Sequence, residues 1–242
     1  METGLYIIAD RIVKIDSIYS RVHRSCREYV LSEKKSGSCS PDISILTSEA
    51  DIAYEKSRSR SGESFPDDYY EELAVHRKLS TAMLDFDTFL FHGSCVAVDG
   101  KAYIFAAPSG TGKSTHVRLW REMLGDRAVM VNDDKPYLRV TSEGVLAYGT
   151  PYNGKHHLGS NICVPLKAIC VLSRGEENSI KETTKESVYP VLLQQTYRPE
   201  SAEDLKKTLA LLDKLTFSVK LYTLKCNMEP DAARVSYEGM HG

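Results

Sequence analysis

Short apolar runs between polar breaks dominate the first 55 residues. Residues 4–9 (GLYIIA), 11–15 and 43–46 are rich in β-branched and aromatic side chains, which predicts strands. Residues 34–41 (KKSGSCSP) have the composition of a loop. Residues 57–66 (SRSRSGESFP) lack periodicity and read as a linker. A helix is expected next, capped by Asp67 or Asp68 just past Pro66. Val75, Leu79, Ala82 and Met83 give it one apolar stripe at helical spacing. Residues 86–91 then read as a strand. Residues 96–98 and 102–106, joined by Asp99-Gly100, predict a hairpin, because Asp-Gly accepts the positive φ of a tight turn. A helix over 115–123 follows, with Leu119 and Trp120 facing a sheet. Further on, 128–131 and 166–172 read as buried strands. Residues 201–215 read as a helix with Ser201 and Asp204 at capping-box spacing and Leu205, Leu209 and Leu212 as its stripe. Residues 217–224 alternate like a strand, and 231–240 suit a terminal helix. There are no internal repeats.

Composition narrows the class. The 242 residues carry 31 Lys+Arg against 33 Asp+Glu, a net charge of −2, which is not the balance of a protein that coats nucleic acid. No apolar run is long enough to span a membrane, so neither nucleic acid nor membrane is an expected partner. The six cysteines (Cys26, Cys39, Cys95, Cys163, Cys170 and Cys226) form no C-x-x-C pair and read as reduced core residues. With no N-terminal charged-then-apolar segment, the expected compartment is the cytoplasm. Charge is uneven. Residues 1–90 hold 12 Lys+Arg against 16 Asp+Glu, and the remainder 19 against 17. A mildly positive second half suits an anionic ligand.

The chemistry concentrates after the hairpin. Ala107-Pro108-Ser109-Gly110-Thr111-Gly112-Lys113-Ser114-Thr115 lies between a strand and a helix, the context of a phosphate-binding loop. Gly110 and Gly112 let backbone N–H groups converge on phosphate oxygens, and the helix N-terminus adds partial positive charge. Lys113 reaches β- and γ-phosphates and Ser114 ligates Mg²⁺ in such a loop. The first glycine of the full G-x-x-x-x-G-K-[ST] pattern is replaced by Ala107. Asn132-Asp133-Asp134-Lys135-Pro136 ends the next strand. In an open α/β sheet, carboxylates at such a strand end lie at the ligand crevice. One can hold Mg²⁺ and the other can accept a proton from an attacking hydroxyl.

These residues, with His92-Gly93 before the hairpin, resemble the catalytic core of HPr kinase/phosphorylase, which shares the fold superfamily of phosphoenolpyruvate carboxykinase. Val164-Pro165-Leu166-Lys167-Ala168-Ile169 resembles a later segment of that core. The compact HPr-kinase-related homologues are the most similar variant. They read A-P-S-G-T-G-K-S-T-H, N-D-D-K-P and G-T-P-x-x-G-K. Here those are residues 107–116, 132–136 and Gly149-Thr150-Pro151-Tyr152-Asn153-Gly154-Lys155. The resemblance covers residues 86–240 and leaves 1–66 unexplained.

The resemblance implies an α/β catalytic domain with a mixed sheet over 67–242, behind a small strand-rich module over 1–66 that is a candidate for substrate recognition. It implies ATP and Mg²⁺ as cofactors. Ser109, Gly110, Thr111, Gly112, Lys113, Ser114 and Thr115 would bind nucleotide, and Ser114 and Asp133 would bind metal. Asp134 is implied as the base, with His92 near the transferred phosphoryl group. Gly149, Thr150, Pro151, Gly154 and Lys155 form a candidate phosphate or substrate loop, with Lys155 a mobile positive charge. The chain lacks the I-E-x-R-G stretch of the HPr enzymes, so neither reverse phosphorolysis nor HPr as acceptor is implied. His156 and His157 are adjacent and do not suggest a metal site; Arg174 and Arg198 read by default as exposed arginines, with phosphate or base contact as the alternative.

The implied activity is transfer of the γ-phosphate to a hydroxyl: Ser or Thr of a peptide or protein, or a small molecule such as free serine. A nucleotide-binding regulatory module is the alternative, and phosphoenolpyruvate carboxykinase activity a third reading. ATP versus GTP stays open, as does assembly into a homo-oligomer.

Overall fold

The computed structural model describes residues 1–32, 40–59, 62–154 and 156–242. Most of the loop expected over 34–41, and part of the linker over 57–66, fall outside the described residues. The chain divides into two compact units, Met1–Met83 and Leu84–Gly242.

The first unit is a three-stranded sheet with helices. Strands β1 (Glu2–Ile8) and β2 (Arg11–Ser17) pair antiparallel, and β3 (Ile43–Leu46) joins β2 in parallel. Helix α1 (Arg21–Ser25) follows β2. Helix α2 (Glu49–Ser57) had no expectation from the hydrophobic pattern. Its start is fixed by Asp51, whose carboxylate accepts the Ser48 N–H at 3.0 Å and hydroxyl at 2.9 Å. Helix α3 (Asp67–Ala82) begins as expected, with Pro66 in the cap position and Asp67 and Asp68 in the first turn. Its Glu71, 1% exposed, accepts the N–H groups of Ile18 and Tyr19 and the Thr47 hydroxyl. Those bonds tie α3 to the first unit, so the division falls one helix later than the expected 66/67 boundary.

The second unit is a mixed α/β layer structure. Its strands are β4 (Thr88–Leu90), β5 (Ser94–Val98), β6 (Lys101–Ala106), β7 (Ala128–Asn132), β8 (Tyr137–Thr141), β9 (Gly144–Tyr148), β10 (Cys163–Arg174), β11 (Ser179–Glu182) and β12 (Lys220–Cys226). The main path runs β4-β8-β9-β10-β6-β5-β7, with β12 on β10 and β11 on β12. The length of β10 curls the sheet: residues 163–165 pair antiparallel with β9, while 168–174 pair parallel with β12. β6 and β12 lie parallel to β10. β5 is antiparallel to both β6 and β7, so β7 points the same way as β6.

Helix α4 (Lys113–Leu124) and α7 (Asp231–His241) cover one face; α5 (Lys185–Gln195) and α6 (Ala202–Ser218) cover the other. Alternate residues of β6 serve the two faces, Ile104 toward α5 and α6 and Tyr103 and Phe105 toward α4 and α7. This is why β6 reads as a continuous apolar run: both faces of a central strand are buried. The Asp99-Gly100 turn has φ of 50° and 74°, as the hairpin expectation requires. The strand expected over 217–224 starts later. Phe217 is still in α6, where Thr208, Leu211, Leu212, Leu215 and Thr216 form the buried face. Its own ring is 81% exposed. Cys26, Cys95 and Cys170 are buried and Cys163 is exposed, which departs from the uniform core reading; Cys39 lies outside the described residues. Among the described residues no helix is long and apolar enough to cross a membrane.

Candidate functional site

Strand direction assembles the site. The C-terminal ends of β6, β7, β10 and β12 meet at one edge of the sheet, together with the N-terminal end of the antiparallel β5. The 107–112 loop leaves β6 at this edge, Asp133 and Asp134 leave β7, Arg174 ends β10, and His92 precedes β5.

The loop is shaped by two glycines with positive φ, 78° at Gly110 and 120° at Gly112, which caps α4. Ser109, Thr111 and Thr115 lie on the loop and the first turn of α4. Lys113 bends back and donates from Nζ to Ala107 O at 2.8 Å. Burial pulls its ammonium below the usual range, opposed by the charge of Asp134. Arg174, read from sequence as an exposed arginine, donates from Nη2 to Gly110 O at 2.6 Å and so braces the loop.

Asn132 organises the acidic pair. It is fully buried, and its Oδ1 accepts the N–H groups of Asp134 at 2.8 Å and Lys135 at 2.5 Å. Its amide nitrogen donates to Thr150 Oγ1 at 3.1 Å and Thr150 O at 3.2 Å. The Thr150 hydroxyl donates to Lys135 O at 2.8 Å. Thus the 149–154 segment clasps the turn after β7. The Gly154 N–H donates to Asp133 Oδ1 at 2.7 Å. Gly149 passes so close to Ser160 that an added Cβ would lie 1.8 Å from its carbonyl oxygen. Pro151 is buried in the same segment. Lys155 lies outside the described residues.

His92 Nε2 lies 3.1 Å from Asp134 Oδ1, and Lys135 Nζ lies 3.3 Å from Asp134 Oδ2. Burial works to raise the Asp134 carboxyl. The His92 hydrogen bond and the charge of Lys135 outweigh it and hold the group down at about 2. Asp134 is therefore an ionised, oriented acceptor at neutral pH. The Gly93 N–H donates to Asp134 O at 2.9 Å, and the Ser94 hydroxyl to Asp133 O at 3.2 Å, which joins the start of β5 to the acidic turn.

Ser114 and Asp133 line a common cavity of about 370 Å³, with Ser94, Arg118, Arg121 and His156. A hydroxyl and a carboxylate are hard oxygen donors, the type Mg²⁺ takes alongside phosphate oxygens and water. The donor set therefore fits a magnesium–phosphate group. Among the described residues no cluster of three or more His, Cys, Asp or Glu side chains forms a protein-only metal cage. A second cavity, of about 420 Å³, is lined by Pro108, Ser109, Gly110, Thr111, Leu172, Ser173 and Arg174.

The loop's helix is anchored from behind. The Ser236 hydroxyl gives its single proton to Ala233 O at 3.0 Å. It therefore accepts from Trp120 Nε1–H at 2.7 Å and from His116 Nε2–H at 2.9 Å. His116 is 3% exposed, and burial pushes its imidazole down to about 4.

Nothing in the sequence assigns a role to Ser236 or shows what Asn132 and Arg174 hold, because each acts through a partner far along the chain; the adjacency of Asn132 to Asp133-Asp134 is its one signal. Comparison with known proteins gives little to set beside this geometry. No family model and no curated protein matches the chain. Among solved structures, the Hpr(Ser) kinase/phosphatase from Coxiella burnetii aligns over 63% of this chain and 99% of its own, at 9% identity and a TM-score of 0.36.

Proposed function

We propose that the chain is an ATP- and magnesium-dependent kinase that transfers the γ-phosphoryl group to a hydroxyl. Its second unit is then a phosphate-loop core of the HPr-kinase and phosphoenolpyruvate carboxykinase kind. One observation carries the reading: Ser114, from the glycine-bearing loop and helix, shares a cavity with Asp133, from the acidic end of β7. The acceptor is Ser or Thr of a peptide or protein, or a small molecule such as free serine.

The residues divide the work. Backbone N–H groups of the 109–113 loop and the α4 N-terminus bind phosphate oxygens. Lys113 turns from Ala107 O to the β- and γ-phosphates. Ser114 and Asp133 would hold Mg²⁺, which when bound neutralises charge on the phosphates. Asp134, aimed by His92, orients the acceptor hydroxyl. As the new O–P bond forms and the bond to the ADP oxygen breaks, Asp134 takes the hydroxyl proton. A carboxyl this acidic is a weak base, which suits a loose transition state in which the proton leaves late. Most of the rate enhancement then comes from positioning.

The test is Asp134→Asn. Wild-type and variant chains are incubated with ATP and Mg²⁺, and a serine-peptide panel, HPr and free serine are read by mass spectrometry for added phosphate. The variant should bind a fluorescent ATP analogue normally and lose transfer by a factor on the order of 10²–10⁴. Undiminished transfer would remove Asp134 from the role of base. If the wild type binds the analogue but labels none of these acceptors, a regulatory nucleotide-binding module replaces the kinase.

A further inference from the structure

Gln195 ends α5 on the far face of the sheet from the phosphate loop's helix, and nothing in the proposed reaction uses it. It is 7% exposed, and its backbone carbonyl accepts the His92 N–H at 2.6 Å. With its amide nitrogen turned inward, its two N–H protons face three acceptors, His92 O and His92 Nδ1, both at 3.1 Å, and Ala107 O at 3.3 Å. The opposite orientation would set the amide oxygen against two carbonyl oxygens and an imidazole nitrogen, so electrostatics selects the inward nitrogen.

Two consequences follow from donor counting. Asp134 is ionised and only accepts, so the neutral His92 ring is protonated at Nε2, and its bare Nδ1 takes one of the two Gln195 protons. The Nε2 proton points at Asp134 Oδ1, 3.1 Å away. Ala107 is fully buried, and its carbonyl receives Lys113 Nζ at 2.8 Å with the Gln195 amide nitrogen 3.3 Å away. When Lys113 turns to a phosphate, Gln195 is the donor that stays.

We propose that Gln195 is a positioning residue with two tasks. It holds His92 as the Nε2–H tautomer that aims Asp134, and it keeps the Ala107 carbonyl hydrogen-bonded after Lys113 leaves for the nucleotide. The second task rests on the kinase reading above; the first stands on the hydrogen-bond geometry alone.

The first task is tested by long-range ¹H–¹⁵N correlation spectra of the full chain labelled at histidine. Spectra are taken at alkaline pH, where imidazoles are neutral, and the His92 signals are assigned by their loss in His92→Gln. Wild-type His92 should show Nε2 protonated and Nδ1 bare. Gln195→Leu should release the ring to a mixture of tautomers. Gln195→Glu should move the proton to Nδ1, because a carboxylate only accepts. A purely space-filling role for Gln195 would leave the tautomer untouched in both variants. A wild-type ring protonated at Nδ1 overturns the assignment without need of any variant, even if Gln195→Leu fails to fold. For the second task, Gln195→Leu should weaken binding of a fluorescent ATP analogue roughly tenfold, since a buried carbonyl loses its remaining donor. Unchanged affinity overturns that task. Failure of the wild type to bind the analogue at all overturns the nucleotide reading and this task with it, while the spectra still decide the tautomer.

Discussion

Acid should loosen the helix that carries Lys113 and Ser114, and His116 is the reason. Its Nε2–H is committed to Ser236, while its Nδ1 is buried without a partner among the described residues. A proton added at Nδ1 would therefore place an unpaired charge in the interior, on a ring packed against Phe105. The unfolded chain has no such obstacle and takes that proton near pH 6.5, whereas the folded chain resists it down to about 4. Between those values the unfolded state binds more protons, so stability must rise with pH. The contribution is complete above pH 6.5 and is lost as pH falls toward 4, at a slope of about 1.4 kcal/mol per unit. Over the whole window that is about 3 kcal/mol, a large share of the 5–15 kcal/mol typical of a domain. Trp120 is the chain's single tryptophan and shares Ser236 with His116, so its fluorescence reports this contact directly. Urea unfolding followed by that fluorescence, at several pH values from 7 to 4.5, gives the slope. Carboxylates titrate in the lower part of the same range, so the quantity to compare is wild type minus His116→Gln. The variant should have a flatter profile by about 1 kcal/mol per unit near pH 5.5, whatever its stability at pH 7. Equal slopes in the two proteins would refute the buried neutral imidazole.

Other perturbations address the loop and the acidic turn. Arg174→Ala removes the donor that braces Gly110 O, and should weaken binding of the fluorescent ATP analogue several-fold while leaving the urea midpoint nearly unchanged. Gly149→Ala drives a Cβ to within 1.8 Å of the Ser160 carbonyl, and should lower stability by about 3 kcal/mol or more in urea unfolding. A loss under 1 kcal/mol would mean that the 149–160 crossing yields more easily than its packing suggests. Thr150→Val keeps shape but removes the hydroxyl shared by Asn132, Tyr152 N–H and Lys135 O. It should cost about 1–3 kcal/mol, read by the same unfolding curves.

Features whose physics is local are legible along the chain. Asp99-Gly100 announces its turn because the backbone there must take positive φ. Gly110 and Gly112 mark the loop for the same reason, and the apolar run of β6 marks a strand covered on both faces. Local signals also misled. Phe217 alternates with its neighbours like a strand residue, yet α6 runs on past it because Leu215 and Thr216 still find the core. The capping pair Ser48 and Asp51 was legible in principle but sat in a stretch with little apolar periodicity. Whatever depends on a partner far along the chain emerges only when the chain folds. Asn132 is an ordinary polar residue until Thr150 and the acidic turn close around it. Ser236 is one serine of many until Trp120 and His116, 116 and 120 residues away, both point at its oxygen. Gln195 gains its place only because α5 delivers it to His92 and Ala107. A hydrogen bond is short and directional, so its energy depends on which atoms the fold brings within about 3 Å, and no periodicity in the chain encodes that distance.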